Sequence, residues 1–361
     1  MKDDFKAMSL IDYGWDDRLA REWSERSTTG MFPARIIADY GQMFRVAAPS
    51  GELLVNRPVA QFDHELQVAV GDWVALEHAA GVASARISFI LTRKTKFSRA
   101  AAGNEVKEQI VAANADMVFL MQSLNRDFNM RRLERYLIAA WESGAEPVVV
   151  LTKTDCCDDV PGKMAAVCAT APGVAVHAIS CVTGEGMAGI RQYFRRGVTV
   201  ALLGSSGVGK STLVNTLLGK DYLKTREIRE DDSRGRHTTS RRELLLLPEG
   251  GLILDTPGMR ELSLWEADTG MEIVFGDVEE LVWSCRFPNC THGHEPGCAV
   301  QEALRSGKLE QKRWQSWLKL QKELARLEAK KEGKLRLQEK QWGRRFAKLQ
   351  KEIIKVKHKK S

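Results

Sequence analysis

No stretch of this 361-residue chain is apolar for long enough to cross a bilayer, which takes about 20 residues, so no membrane-spanning role is expected. The opening Met1-Lys2-Asp3-Asp4 lacks the apolar core of a secretory signal. No lipidation motif is present, and no segment recurs as a repeat would. Cysteine is sparse: seven residues, an odd number, in a chain with no export signal. Disulfides are therefore not expected, and any clustered cysteines read better as metal ligands. The expected location is the cytoplasm.

What is present is the composition of a soluble globular protein, 43% hydrophobic and 28% charged, long enough for two or three domains. The net charge of +7 hides an asymmetry. The segment from Arg305 to Ser361 carries +14, leaving −7 on the rest. A basic block of that kind is a nucleic-acid-binding feature.

Along the chain, residues 1–33 read as a helical lead-in, with Trp15 and Trp23 as packing anchors. Residues 34–100 have β texture. Short alternating runs such as Ala34-Arg35-Ile36-Ile37 and Phe44-Arg45-Val46-Ala47 are broken by Gly41 and Pro49-Ser50-Gly51. Strands at this spacing predict an OB-like β-barrel, although a small sandwich fits the same pattern. Lys94 to Gln109 reads as a polar linker. Residues 105–270 then alternate apolar strands with helices, which predicts an α/β domain with a parallel sheet. Residues 271–310 form a further module that is dense in Cys, His, Gly and Pro from Trp283 to about Cys298, and 311–361 read as a helical, basic tail.

Gly204-Ser205-Ser206-Gly207-Val208-Gly209-Lys210-Ser211 matches G-x-x-x-x-G-K-S, with a strand before it and a helix from Thr212 after it. Its glycines let backbone N–H groups converge on a phosphate at a helix N-terminus. Lys210 is expected to reach the β- and γ-phosphates in a catalytic role, and Ser211 to ligate Mg²⁺.

Thr152-Lys153-Thr154-Asp155 follows the buried strand ending at Leu151. A carboxylate there can accept from the N1–H and 2-amino group of guanine, a donor pair that adenine lacks. The tetrapeptide resembles the Asn-Lys-x-Asp motif of GTPases, with Thr152 in place of Asn, and a hydroxyl makes fewer hydrogen bonds than an amide. Alone, it also fits a strand-to-helix turn capped by Asp. Ser180-Cys181-Val182-Thr183-Gly184-Glu185-Gly186, one strand–helix unit later, resembles the loop that backs the guanine ring, with the Ser180 and Cys181 backbone at the base edge.

Asp255-Thr256-Pro257-Gly258 follows another apolar strand. Asp255 is expected to hold Mg²⁺ through water, and the Gly258 N–H to sense the γ-phosphate. Between the two phosphate motifs lies Gly235-Arg236-His237-Thr238-Thr239, which reads as a switch loop. Thr238 or Thr239 would complete the Mg²⁺ shell. Where Ras-like proteins place a glutamine, this chain has Met259, whose thioether cannot orient water. The nearest alternative is His237, expected as the second catalytic residue.

All these motifs are present, but Asp155 and Ser180 precede Lys210, so their order is rotated. With a barrel in front and a Cys/His cluster behind, the chain resembles the circularly permuted family of ribosome small subunit-dependent GTPase A. The resemblance runs from about Ala34 to about Arg305. It departs at Thr152, in the lead-in and in the long basic tail.

Cys285, Cys290, His292 and Cys298 supply three thiols and an imidazole within fourteen residues, a set suited to one structural, tetrahedral Zn²⁺. His294 and Glu295 lie alongside, and the spacing of the family selects His292. The resemblance implies a GTP hydrolase with GTP/GDP and Mg²⁺ as ligands. It would act late in maturation of the small ribosomal subunit, bind its rRNA near the decoding region, be stimulated there and leave on hydrolysis. No membrane or DNA partner is expected, and off the ribosome the chain is expected to be a monomer. Two rivals have less support: a metabolic P-loop enzyme, against which the guanine-reading pair speaks, and a non-enzymatic RNA-binding scaffold, against which intact Lys210, Ser211 and Asp255 speak.

Overall fold

The computed structural model describes residues 9–58, 67–78, 85–100, 107–125, 127–220, 222, 242–255, 265 and 267–333. The expected roles of Gly235, His237, Thr238, Thr239, Gly258 and Lys351 to Ser361 fall outside these residues.

The N-terminal part is a helix, α1 (Asp17–Arg26), followed by five strands: β1 (Met31–Asp39), β2 (Met43–Ala48), β3 (Gly51–Asn56), β4 (Trp73–His78) and β5 (Ala85–Ile90). Asp16 starts α1 by accepting from the Leu19 N–H, one of the donors left over at a helix N-terminus. Trp15 packs edge-on against both Trp23 and Trp73, joining the lead-in to the barrel core. β1 pairs antiparallel with β2 and β4, β2 with β3, and β4 with β5. β3 also approaches β5, which closes the ring β1-β2-β3-β5-β4. β1 serves two neighbours in the ring because a bulge between Ile36 and Ala38 bends it.

The stretch expected as a linker instead carries β6 (Lys96–Ala100) and the start of β7 (Glu108–Ala113), which pair as a ribbon. Its polar, Gly/Ala-rich composition masked a strand alternation in which Phe97 is buried between partly exposed Lys96 and Ser98. The α/β core follows: β8 (Met117–Ser123), α2 (Met130–Ser143), β9 (Glu146–Thr152), α3 (Val160–Thr170), β10 (Ala175–Ile179), α4 (Met187–Arg191), β11 (Thr199–Gly204), α5 (Lys210–Leu218), β12 (Arg242–Leu246) and β13 (Leu252–Asp255). Its strands lie in the order β10-β9-β8-β11-β13-β12, all parallel except β12. β8, β9 and β11 are buried along almost their whole length, as strands covered on both faces must be. β12 is not a free edge. β1 adds to it at Ala38 opposite Glu243 and Asp39 opposite Arg242, so barrel and core share one sheet.

Arg35 is buried in this part of the chain. Its guanidinium donates to the carbonyls of Tyr13, Gly71 and Asn114, joining lead-in, barrel and core. Burial pushes its pKa down to about 10.

The chain divides into two compact units: Met1–Arg99, Gln109–Ser263 and Ala267–Gly276 form one, and Ala100–Glu108, Leu264–Glu266 and Asp277–Ser361 the other. Helix α6 (Asp268–Trp283) is broken by a non-helical Phe275 just before the boundary. The second unit contains the Cys/His region, α7 (Ala299–Ser306) and helical backbone over 311–333. In it Trp314 and Trp317 stack at 5.0 Å, and Arg313 pairs with Asp277 at 2.7 Å. No helix among the described residues is long and apolar enough to cross a membrane.

Candidate nucleotide site and metal centre

Five parallel strands end on one edge of the sheet: β8 at Ser123, β9 at Thr152, β10 at Ile179, β11 at Gly204 and β13 at Asp255. Register keeps the ends level, with Ser123 opposite Thr152 and Thr152 opposite Ile179. Open α/β sheets bind ligands at this carboxyl edge.

The phosphate loop leaves β11 at Gly204 and enters α5 at Lys210. Gly207 and Gly209 have φ of 74° and 104°, a conformation that favours glycine. A Cβ at Gly204 would stand 2.8 Å from the Met121 carbonyl, so glycine is also required there. Lys210 Nζ donates to the carbonyls of Gly204 and Ser205 at 2.5 and 2.6 Å, folding its side chain along the loop. Ser211 and Thr212 sit partly exposed in the first turn of α5, Ser206 is exposed, and Val208 is buried beneath the loop.

The base-reading segment is joined to this loop directly. Thr152 Oγ1 donates to the Val208 carbonyl at 2.6 Å, and Lys153 Nζ to the Gly207 carbonyl at 2.8 Å. Lys153 is a non-glycine residue at φ 63°, a strained backbone of the kind found at functional turns. Thr154 and Asp155 lie in a single 3-10 turn, and Thr154 Oγ1 donates to Glu185 at 3.1 Å. Asp155 Oδ1 accepts from Ser180 Oγ at 2.6 Å, while Cys156 Sγ donates to Oδ2 at 3.3 Å. The Ser180 hydrogen bond, then that from Cys156, hold the Asp155 carboxyl below its ordinary range. Ser180 is buried, and its Oγ also accepts from the amides of Val182 and Thr183, both at 3.2 Å. Cys181 is half-buried, and burial pushes its thiol pKa up. Asp255 ends β13 opposite Glu243 of β12.

One participant escaped the sequence reading. Asp127, in the turn between β8 and α2, accepts from phosphate-loop Ser205 Oγ at 2.6 Å and pairs with Arg132 at 2.8 Å. Burial works against its charge, but these two partners outweigh it and lower its pKa. The only signal was an Asn125-x-Asp127-x-Asn129 cluster after a buried strand, which reads as ordinary turn chemistry.

In the second unit, the ligand atoms of Cys285, Cys290, His292 and Cys298 lie within 4.8 Å of one another. Cys285 Sγ is 3.4 Å from His292 Nδ1 and 3.9 Å from Cys298 Sγ, and Cys298 Sγ is 3.7 Å from that nitrogen. Tetrahedral zinc at ordinary bond lengths sets such atoms about 3.5–3.8 Å apart, so this donor set fits the ion. Glu295 is otherwise engaged. Its carboxylate accepts from Thr291 Oγ1 and from the amides of Thr291 and Gly293, and these bonds lower its pKa to about 2. Gln301 Nε2 donates to the His292 carbonyl at 2.6 Å, holding a turn in which His292 has φ 57°. Cys298 caps α7, its Sγ accepting from the Gln301 amide at 3.5 Å.

Comparison with known proteins agrees with this architecture. Residues 90–265 match the profile of the RsgA GTPase family. The small ribosomal subunit biogenesis GTPase RsgA of Opitutus terrae is 43% identical over 332 residues, spanning 88% of this chain and 90% of that protein. The crystal structure of YjeQ from Thermotoga maritima superposes with a TM-score of 0.58 at 24% identity, covering 82% of this chain and 99% of the other. That of YloQ, described as a circularly permuted GTPase, gives 0.56 at 22% identity, covering 83% and 98%. Rotated motif order, shared sheet edge and near-full-length similarity together establish that the chain belongs to the RsgA family of small ribosomal subunit biogenesis GTPases.

Proposed function

We propose that this chain hydrolyses GTP as a late maturation factor of the small ribosomal subunit. It binds rRNA near the decoding region, is stimulated there and leaves when GTP has been cleaved. The observation that carries the reading is the joined pair of loops, with the acceptor-only Asp155 on the loop that Thr152 and Lys153 fasten to the phosphate cradle. One ligand spanning both loops needs a purine with two adjacent donors at one end and phosphates at the other, and a guanine nucleotide has both.

In this reading Thr152, Lys153, Thr154, Asp155, Ser180 and Cys181 surround the base, and Gly204 to Thr212 surround the phosphates. Ser211, Asp255 through water, and Thr238 or Thr239 would hold Mg²⁺, which would supply neutralisation of phosphate charge. Gly258 senses the γ-phosphate. Lys210 is drawn from its loop carbonyls onto the phosphates, and His237 aligns the attacking water. Cys285, Cys290, His292 and Cys298 hold one structural Zn²⁺. The barrel, the zinc unit and the basic tail contact rRNA through phosphate neutralisation and shape. The protein acts in the cytoplasm, as a monomer when off the ribosome, with no membrane or DNA partner.

Cosedimentation with purified small subunits tests the reading. The expected result is strong retention with a non-hydrolysable GTP analogue and weak retention with GDP. Equal retention in both states would overturn nucleotide-coupled release.

A further inference from the structure

We propose that this chain reads guanine without using N7 of the ring, and that Thr152 decides this. The inference rests on the guanine-nucleotide reading of the site and adds to it which edges of the base the protein recognises.

Guanine presents three polar features to a protein. N1–H and the 2-amino group donate, O6 accepts, and N7 on the far side of O6 accepts as well. Asp155, oriented by Ser180, is an acceptor for the first. In the turn that follows Ser180, the amides of Val182 and Thr183 are used by Ser180 Oγ, and that of Ser180 by the Glu185 carbonyl. The Cys181 amide has no acceptor within the described chain, and it remains to serve O6.

N7 needs a further donor, and residue 152 stands between the base loop and the phosphate loop. Thr152 is buried, and its hydroxyl has one proton. The hydroxyl lies 2.6 Å from the Val208 carbonyl, with the Gln122 carbonyl as a longer second acceptor at 3.4 Å. Both neighbours are acceptors, so the proton is committed to the protein backbone. An amide at the same position carries two N–H groups, one for Val208 and one to spare. Lys153 does not substitute for it, because its ammonium is drawn along the phosphate loop to the Gly207 carbonyl at 2.8 Å. Thr152 is therefore a positioning residue that sets the distance between the two loops, and N7 is left to water.

The test is calorimetric titration of the full chain with GDP, 7-deaza-GDP, which carries C–H in place of N7, and ADP. The expected result is that 7-deaza-GDP binds within about twofold of GDP, whereas a direct hydrogen bond to N7 makes a difference of about two- to tenfold or more. Thr152→Asn is expected to create a preference for GDP over 7-deaza-GDP of about five- to tenfold. Thr152→Val removes the tie to Val208 and is expected to weaken both nucleotides by the same factor, with Thr152→Ser restoring them. A wild-type loss of more than about twofold on 7-deaza-GDP overturns the inference. So does a change of the GDP to 7-deaza-GDP ratio in Thr152→Val, or no new preference in a folded Thr152→Asn. ADP binding as tightly as GDP is a different failure, because it removes the guanine reading itself.

Discussion

Ser180 Oγ stands 2.6 Å from Asp155 Oδ1, so two residues from successive strand–helix units form one hydrogen-bonded pair at the rim of the sheet. The pair gives the carboxylate a fixed direction and a lowered pKa, the Ser180 hydrogen bond being the largest cause. Asp155→Asn puts a donor where guanine also donates. GTP affinity is expected to fall about ten- to a hundredfold, with the affinity for ADP little changed, as measured by nucleotide titration. Unaltered GTP binding would remove Asp155 from the base site.

The same pair has a pH signature. A depressed carboxyl pKa means that the charged form persists as pH falls, and base binding is lost only when pH drops through that lowered value. Ser180→Ala removes the main cause of the depression. The acid limb of GDP affinity is therefore expected to move to higher pH, with affinity at pH 7.5 less affected than at pH 4.5. An unmoved limb would assign it to another group.

Zinc is expected at one ion per chain. Thiols must lose their protons to bind zinc, so chelators or acid should unfold the region from Cys285 to Cys298 first. GDP binding by the nucleotide site, whose residues all lie in the other unit, should persist. Protein purified without stoichiometric metal yet fully ordered in this region by hydrogen exchange would contradict the assignment.

Arg35 donates to three backbone carbonyls from a position 1% exposed. Arg35→Met keeps the bulk but removes the guanidinium donors to the Tyr13 and Asn114 carbonyls, while the Gly71 carbonyl keeps the Asn114 side-chain amide. Stability in urea is expected to drop by about 2–5 kcal/mol. A drop under about 1 kcal/mol would mean that water or a neighbour replaces the guanidinium.

The basic tail is expected to act through counterion release, which makes affinity fall steeply with salt. Deleting Lys351 to Ser361 should lower both the affinity for small subunits and its salt slope, leaving GTP binding intact. If the slope does not change, the tail serves packing.

His237→Ala is expected to keep GTP binding and subunit binding while losing subunit-stimulated turnover, as read by phosphate release with and without small subunits. Stimulation that survives would transfer water positioning to another group, with rRNA the leading candidate.

Local chemistry carries much of this protein in its sequence. A phosphate loop needs glycines at positive φ between a strand and a helix, a zinc shell needs four ligands close together, and a strand buried on both faces must be apolar throughout. Gly207, Gly209, Cys285, Cys298 and the run Met117 to Met121 are therefore legible one segment at a time. Other features arise only between segments far apart in the chain. Pairing of β1 with β12 makes the barrel and the core one sheet, yet strand edges offer the same backbone groups whatever their side chains. Asp127 reads as a turn residue until folding brings Ser205, 78 positions later, within 2.6 Å. Arg35 reads as the polar member of an alternating strand, but three carbonyls from distant segments surround it and make burial of its charge tolerable. Thr152 could be seen as a departure from Asn, but where its single proton goes was decided by the Val208 carbonyl, 56 residues away, because a hydrogen bond depends on distance in space and not on separation along the chain.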